Sequence, residues 1–579
     1  MVGWLALGVA CLATAVAMGL QQWLRNTWQV RTLPERMMET LLVLVPLDLF
    51  ERGLQQFGAN AKDIALVGTF VGMAALLVVA GWLAVRTLNG WVCIGLGFGL
   101  WLLAMLGVMP LTGAGAFATE LLVSPLLTAG AYLGVFAVYG GVLALGSSAL
   151  AAADTGESSV SSHRVERRNV LAGIGGLVVG FVAFGVARSA AGAGGAVQSS
   201  LPLAAAPTPI PTPTARPAGP TAVQTQAPLP TATAVPNAGP PQPTPTPSPV
   251  VFPTPAPARA VSRDQEGSLT AAGRTSGTLA PAITSTSDFY IVTKNAIADP
   301  VVDASTWRLI IDGEVGQPVQ VDYATLMALP SVDITKTLEC ISNLTAGCSM
   351  ASFGCDLMST ATWRGVAVSD VLNLAGGLKS GVVDVAFVSI DEFSAGLPAK
   401  VVMDPMTLVV YQMNGQVLPR EHGYPARLLV PGRYGMKNPK WLAEIRALNQ
   451  PYVDWYQQRG WTRDGIVKTM SRIDLPVDGA ELTQGAQSVA GVAYAGDRGI
   501  KLVEISTDGG NTWAPTSFVE PPAGKDCMVR WQGSFEMSDQ PLTLVVRATD
   551  GTGMVQPEDF GLPAPDGSWG QDSITVQPA

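Results

Sequence analysis

Apolar residues are distributed unevenly along this chain. Long apolar runs occupy residues 2–20, 64–85, 91–109, 121–145 and 170–187. Each approaches the roughly 20 residues that cross a bilayer as a helix. So many runs before residue 190 exceed what one soluble core needs, and they predict an all-α transmembrane bundle over residues 1–188. The first run lacks a basic leader and a clear cleavage site, so it reads as an uncleaved span. A shorter apolar stretch, 40–50, contains Pro46 and Asp48 and reads as interfacial.

From 189 to 285 apolar side chains nearly vanish. Pro207-Thr-Pro-Ile-Pro-Thr-Pro and Pro243-Thr-Pro-Thr-Pro-Ser-Pro are typical. A segment with so little to bury cannot fold alone and reads as a disordered, polyproline-II-rich tether. A ligand for a proline-binding domain is the alternative reading.

Beyond 286 the pattern is that of compact, mixed structure. Residues 307–315 read as a strand and turn, 323–329 as a short helix, and 333–340 as a strand delivering Cys340 to a loop. Residues 363–372 fit a turn followed by an amphipathic helix that stops at Gly376-Gly377. A strand is predicted at 383–390, and another at 405–411 with a tight turn at Asn414-Gly415. This predicts an α+β domain over 286–462. Over 463–579, strands at 484–494, 500–506, 527–536 and 542–550, with a turn at Asp508-Gly-Gly-Asn-Thr-Trp513, predict an all-β immunoglobulin-like sandwich.

Composition agrees with a membrane portion: mean hydropathy is positive and only 14% of residues are charged. The net charge of −9 gives no reason to expect nucleic-acid binding. The six cysteines form no CxxC or CxxCH pattern, and the two histidines are His163 and His422. Haem held by two histidines of the soluble region is thereby excluded, and no haem is expected in this chain. Arg164, Arg167 and Arg168 place the loop before the fifth run in the cytoplasm, so five crossings put everything after residue 187 outside. Arg25, Arg31 and Arg36, between the first two spans, run against that orientation. Arg167-Arg168 before an apolar run has two readings, a twin-arginine export signal or plain positive-inside charge.

Three stretches carry the chemistry. They are Thr335-Lys-Thr-Leu-Glu-Cys340-Ile-Ser-Asn343, Glu421-His422-Gly423-Tyr-Pro-Ala-Arg427, and Tyr434-Gly-Met-Lys437-Asn438-Pro439-Lys440-Trp441. Together they resemble the sulfite oxidase family of molybdopterin enzymes. The resemblance implies that Cys340 is the thiolate ligand of molybdenum and the catalytic centre. It implies that Asn343, His422, Arg427, Asn438, Pro439 and Lys440 hold the pterin cofactor, with Arg427 suited to its phosphate. Ser389 and Asp391, and more distantly Tyr290 and Lys294, are further cofactor contacts by the same resemblance. The expected cofactor is molybdenum-molybdopterin. A twin-arginine route fits a cofactor inserted before export.

The 463–579 segment resembles the family's dimerisation domain, through Val503-Glu-Ile-Ser-Thr-Asp-Gly-Gly-Asn-Thr-Trp and Arg547-Ala-Thr-Asp-Gly, which implies a homodimer. Family members acting on sulfite often carry Cys-x-x-Asn-Arg, whereas here Leu344 and Thr345 follow Asn343. Arg364, Arg420, Arg433 or Lys437 are candidate substitutes. Cys348 and Cys355 are candidates for a loop disulfide, and Cys527 for a buried thiol.

The expected function is oxygen-atom transfer to or from a small sulfur substrate outside the cytoplasm. Electrons would be exchanged with a separate cytochrome or quinone-linked carrier. A methionine sulfoxide reductase of the same family and a tethered, non-enzymatic adhesin are the alternatives.

Overall fold

The structure, a computed structural model, describes residues 2–44, 61–121, 125–154, 269–270, 276–295, 298–346 and 354–579. The amino-terminal part is helical: α1 (Val2–Trp28), α2 (Leu33–Leu44), α3 (Ala61–Val85), α4 (Gly90–Leu103) and α5 (Pro125–Asp154). A π turn, Ala104–Val108, extends α4 into a last short turn ending at Leu111. Counted with that extension, four helices are long and apolar enough to cross a membrane: α1, α3, α4 and α5. The run at 170–187 and the twin arginines lie outside the described residues. So does much of the interfacial stretch, of which α2 covers the beginning.

Small residues bring these helices together. Ala6, Ala10, Ala13 and Ala17 form a fully buried stripe along α1. Gly97 of α4 meets α5 so closely that a Cβ there would lie 2.5 Å from the Phe136 carbonyl oxygen. Side chains this small let backbones approach where lipid supplies no hydrophobic drive. Large apolar residues such as Trp4, Val67 and Leu76 point outward, as a lipid-facing surface requires.

The central unit is built mainly from sheets. One sheet has the order β8-β7-β4-β3, where β3 is Ser331–Glu339, β4 Met358–Ala367, β7 Leu408–Met413 and β8 Gln416–Val417; β9 (Arg427–Leu429) also pairs with β7. The other has the order β2-β1-β10-β5-β6, with β1 Arg308–Gly313, β2 Val319–Asp322, β5 Asp384–Ser389, β6 Ser394–Pro398 and β10 Leu442–Leu448. All pairings are antiparallel except β10 with β1.

The predicted helix at 323–329 is α6 (Tyr323–Ala328), capped by Asp322, whose side chain accepts from Thr325 N at 2.8 Å. The turn expected at Trp363 is instead the middle of the ten-residue strand β4. Trp363 is fully buried and Arg364 exposed, so the stretch alternates as a strand does, and the helix begins only at α7 (Val368–Asn373). The turn at Asn414-Gly415 is present, with φ of 50° and 74°. Both residues need the left-handed region that this dipeptide tolerates.

Two further sheets form the carboxyl-terminal unit. One has the order β11-β13-β17-β16, with β11 Met470–Leu475, β13 Gly485–Tyr494, β16 Ser517–Phe518 and β17 Val529–Met537. The other has the order β12-β19-β18-β14-β15, with β12 Glu481–Leu482, β14 Ile500–Ser506, β15 Ala514–Pro515, β18 Leu542–Asp550 and β19 Asp572–Pro578. Val489, Trp531 and Phe535 of the first sheet share one core with Ile505, Val546 and Val576 of the second. The two sheets therefore face each other as a sandwich.

This unit also covers the free edge of β3. Tyr494 Oη donates to the Thr337 carbonyl at 3.0 Å, Thr337 N to the Asp526 carbonyl at 2.9 Å, and Met528 N to Thr337 Oγ1 at 2.8 Å. Lys336 pairs with Asp526. Covering an edge strand removes an unpaired backbone row and fixes the strand that ends at Cys340.

Trp531 fills the sandwich centre with no exposure. Trp531→Ala is expected to cost about 3–5 kcal/mol. In denaturant titration of the solubilised chain, the carboxyl-terminal unit should then unfold earlier. An unmoved transition would show that this core does not hold the sandwich together.

Candidate active site

β3 delivers Cys340 to a tight turn. Cys340 N donates to the Leu357 carbonyl at 2.9 Å, and Asn343 N to the Cys340 carbonyl at 2.9 Å. The Asn343 side chain closes the loop, donating to Glu339 Oε1 at 2.9 Å and accepting from Leu357 N at 3.0 Å. The backbone around the thiol is thus pinned from both sides. Cys340 is a free thiol, 6% exposed. Burial pushes it upward, and hydrogen bonds with Ser342 oppose that shift. Burial also drives the neighbouring Glu339 carboxyl up to about 8.

The thiol opens onto a cleft enclosing about 760 Å³, its mouth included. Its lining contains Tyr290, Lys294, Cys340, Ser389, Asp391, His422, Arg427, Asn438, Pro439 and Lys440. These are the sequence-derived candidates except Asn343, which is buried behind the thiol and is not among the lining residues. Phe289, Phe393, Glu421 and Tyr456 also line the cleft and were not singled out from sequence. Tyr456 lies beyond the last motif, and Phe289 directly precedes Tyr290, outside the three motifs. The Phe289 ring meets His422 edge-on, at 5.3 Å between centroids.

The cations of the cleft are arranged by a glycine turn. Gly423 has φ of 111°, and a Cβ there would lie 3.0 Å from the Cβ atoms of both Arg427 and Lys440. Only glycine takes that conformation and that space without strain. Arg427 Nη1 and Nη2 donate to the carbonyls of His422 and Asn438, each at 3.1 Å, and its guanidinium lies 5.5 Å from the Trp363 ring centre. Lys440 Nζ donates to the carbonyls of Val292 at 2.9 Å and Glu421 at 2.8 Å.

The Asn438 side chain is spent on backbone, accepting from Val430 N at 2.7 Å and donating to the Tyr434 carbonyl at 2.8 Å. Asp391 accepts from Asn295 Nδ2 at 3.0 Å and from Phe393 N at 3.1 Å.

Neither Arg427 nor Lys440 faces a carboxylate in an ion pair among the described residues. Burial lowers Arg427 to about 10 and Lys440 to about 8. The Arg427 Nε and the Ser389 hydroxyl are buried without a hydrogen-bond partner in the protein. A buried cation that finds only carbonyls, beside unsatisfied donors, suits an anion. A cleft with a soft thiol at one wall and such cations at another fits a metal dithiolene carrying a phosphate. On these observations the residues present fit molybdopterin.

The candidate substitutes for a sulfite-binding arginine do not reach this cleft. Arg364 pairs with Asp333 at 3.1 Å on the surface, Arg420 donates to the Pro300 carbonyl at 2.9 Å, and Lys437 is buried against Asp454. Arg433 is likewise absent from the lining. Leu344 is fully buried, and Thr345 N donates to Ser568 Oγ at 3.3 Å. Cys355 is disulfide-bonded, whereas Cys348 lies outside the described residues. Cys527 is buried and free.

Comparison with known proteins places the cleft in context. Residues 296–456 match the family model for the oxidoreductase molybdopterin binding domain, and residues 456–562 that for the Mo-co oxidoreductase dimerisation domain. Mitochondrial sulfite oxidase of Mus musculus is 29% identical over 308 residues, 46% of this chain and 56% of the relative. Sulfite oxidase of Arabidopsis thaliana is 27% identical over 311 residues, 45% of this chain and 79% of the relative. The NADH nitrate reductase of Solanum lycopersicum is 27% identical over 314 residues, 45% of this chain and 34% of the relative. The match thus spans a little over half of the mammalian relative. A solved structure, the sulfane dehydrogenase SoxCD from Paracoccus pantotrophus, aligns over 48% of this chain and 76% of its own with a TM-score of 0.44 and 23% identity.

Because burial lowers the Lys440 ammonium to about 8, an anion that prefers the charged form should bind fully below that pH and weaken above it. Calorimetry of the cofactor-free chain with inorganic phosphate is expected to show affinity falling as pH rises through about 8. Lys440→Gln should flatten that profile. A profile unchanged by the substitution would remove Lys440 from the anion site.

Proposed function

We propose, for a chain whose residues 296–562 belong to the sulfite oxidase-like family of molybdopterin oxidoreductases, a membrane-tethered enzyme that moves an oxygen atom to or from a small sulfur compound. One observation carries this reading. A single cleft brings the free thiol of Cys340 together with Arg427 and Lys440, two cations with no carboxylate partner. When bound, molybdopterin supplies the two-electron redox chemistry of oxygen-atom transfer.

The chain's own residues bind and orient it. Cys340 is the metal ligand. Arg427 and Lys440 receive the anionic end of the cofactor, with His422, Ser389, Asp391, Tyr290, Asn438 and Pro439 along its length. Asn343 acts behind the thiol, holding its loop. The aromatic wall of Phe289 and Tyr456 limits water. Lys294 lines the same cleft, its ammonium paired with Glu39 at 3.3 Å.

Sulfite is one substrate class, since curated relatives include sulfite oxidases. Methionine sulfoxide, reduced rather than oxidised, is the second reading. It is favoured by Leu344 standing after Asn343, where family members acting on sulfite often carry arginine. The sandwich would pair two copies, and a separate carrier would exchange electrons.

The disulfide at Cys355 supports placement outside the cytoplasm. The parity of crossings agrees with the elbow and the central unit sharing one side. The segment joining α1 to α2 contacts the central unit through Arg25 and Arg36, so both lie on one side. Three more described spans follow that segment, and the expected crossing at 170–187, outside the described residues, would return the chain to the same side.

Full-length protein purified from a host that makes molybdopterin is expected to carry about one molybdenum per chain, as one thiolate site predicts. Cys340→Ser should lose it. Redox assay with sulfite and with methionine sulfoxide then sets the direction. A folded wild-type chain free of molybdenum would defeat the reading. Arg167→Lys with Arg168→Lys should abolish export of loaded enzyme if the twin-arginine route is used, and normal export would exclude it.

A further inference from the structure

The segment 25–39, the elbow between α1 and α2, grips the central unit beside the cleft. Gln29 and Val301 bond reciprocally: Gln29 Nε2 donates to the Val301 carbonyl at 2.8 Å, and Val301 N donates to Gln29 Oε1 at 3.0 Å. Arg25 Nη2 donates to the Ala298 carbonyl at 2.8 Å. The other contacts reach the cleft wall itself. Arg36 forms a two-pronged pair with Glu392 at 2.9 and 2.8 Å, and Arg31 stands 3.6 Å from the same carboxylate. Glu392 sits between the lining residues Asp391 and Phe393, at φ of 66°, a left-handed conformation that a non-glycine residue holds only when its surroundings fix it.

Glu39 takes the ammonium of the lining residue Lys294 at 3.3 Å. Its backbone carbonyl accepts from Arg459 at 3.2 Å, one helical turn after the lining residue Tyr456. The Arg36 and Arg31 side chains are 3% and 9% exposed, so these are desolvated, charge-assisted contacts rather than surface pairs. Burial works against the Glu392 carboxylate, yet Arg36 and Arg31 hold it below its usual range, so it stays charged at neutral pH.

We infer that the α1–α2 elbow is a positioning element of the cofactor cleft, and that the catalytic unit works docked on its own membrane domain through Arg31, Arg36 and Glu39 rather than swinging on the proline-rich segment. Three separate wall segments, at Lys294, at 389–393 and at Tyr456, are tied to this one elbow. Removing it would release all three. The bracing rests on the function proposed above; the docking does not depend on what fills the cleft.

Two arms test this in the full chain. In the first, Gln29→Cys and Val301→Cys are combined with Cys11→Ser, a protease site is placed in the proline-rich segment, and membranes are treated with a short bis-maleimide. After cleavage, the two halves are expected to migrate together at the mass of one chain. Halves that separate, or that join only at the mass of two chains, overturn the docking. In the second arm, Arg36→Glu should lower molybdenum retained per folded chain about tenfold, the scale of loss when an outer partner of a metal site is removed. Arg36→Glu with Glu392→Arg should restore it. Full retention in the single variant, or no rescue in the swap, overturns the bracing. A wild-type chain without molybdenum defeats the proposed function and the bracing together, while the cross-link still reports the docking.

Discussion

A cation taken out of water needs an anion close by, and this constraint orders much of the molecule. Buried Arg25, Arg31, Arg36, Lys336, Lys437 and Arg472 each face a carboxylate: Glu35, Glu39, Glu392, Asp526, Asp454 and Asp474 respectively. Among the buried arginines and lysines described, Arg427 stands apart, held by carbonyls and a tryptophan face. Partly buried Lys440 shares its situation. The two stand together because Gly423 lets the chain turn between them. Among the described residues, the other buried cations face carboxylates and these two do not, which is the arrangement that suits an external anion.

The thiol is placed by different means. Burial works against a bare thiolate there, and only the hydrogen bonds with Ser342 oppose it. Its position is instead rigid: Asn343 spans Glu339 and the Leu357 amide, while the sandwich clamps β3 at Lys336 and Thr337. Rigid placement of a side chain ahead of a bound group reduces the ordering that binding would otherwise require. The carboxyl-terminal unit therefore contributes to the site although it supplies none of its lining.

The elbow extends the same logic across the bilayer surface. Arg25, Arg31 and Arg36 look, as bare sequence, like charges that should lie in the cytoplasm. In the structure each is engaged by a glutamate, two of them with a partner on the central unit or beside it.

The sequence by itself determined what depends on local pattern. Four of the apolar runs form helices long and apolar enough to cross a membrane. The strands near 383–390 and 500–506 and the tight turn at Asn414-Gly415 are legible in local pattern. Cys340, Arg427 and Lys440 were legible because their neighbours form spaced motifs. Trp363 was misread as a turn because Arg364-Gly365 imitates one, and pairing with β3 and β7 on both sides overrode that local signal. Only the tertiary structure decided that Asn343 turns away from the cleft, that Phe289 and Tyr456 form its wall, and that Arg31, Arg36 and Glu39 reach the wall from the α1–α2 elbow. Those facts depend on contacts between residues tens to hundreds of positions apart, and spacing along a chain carries no record of such contacts.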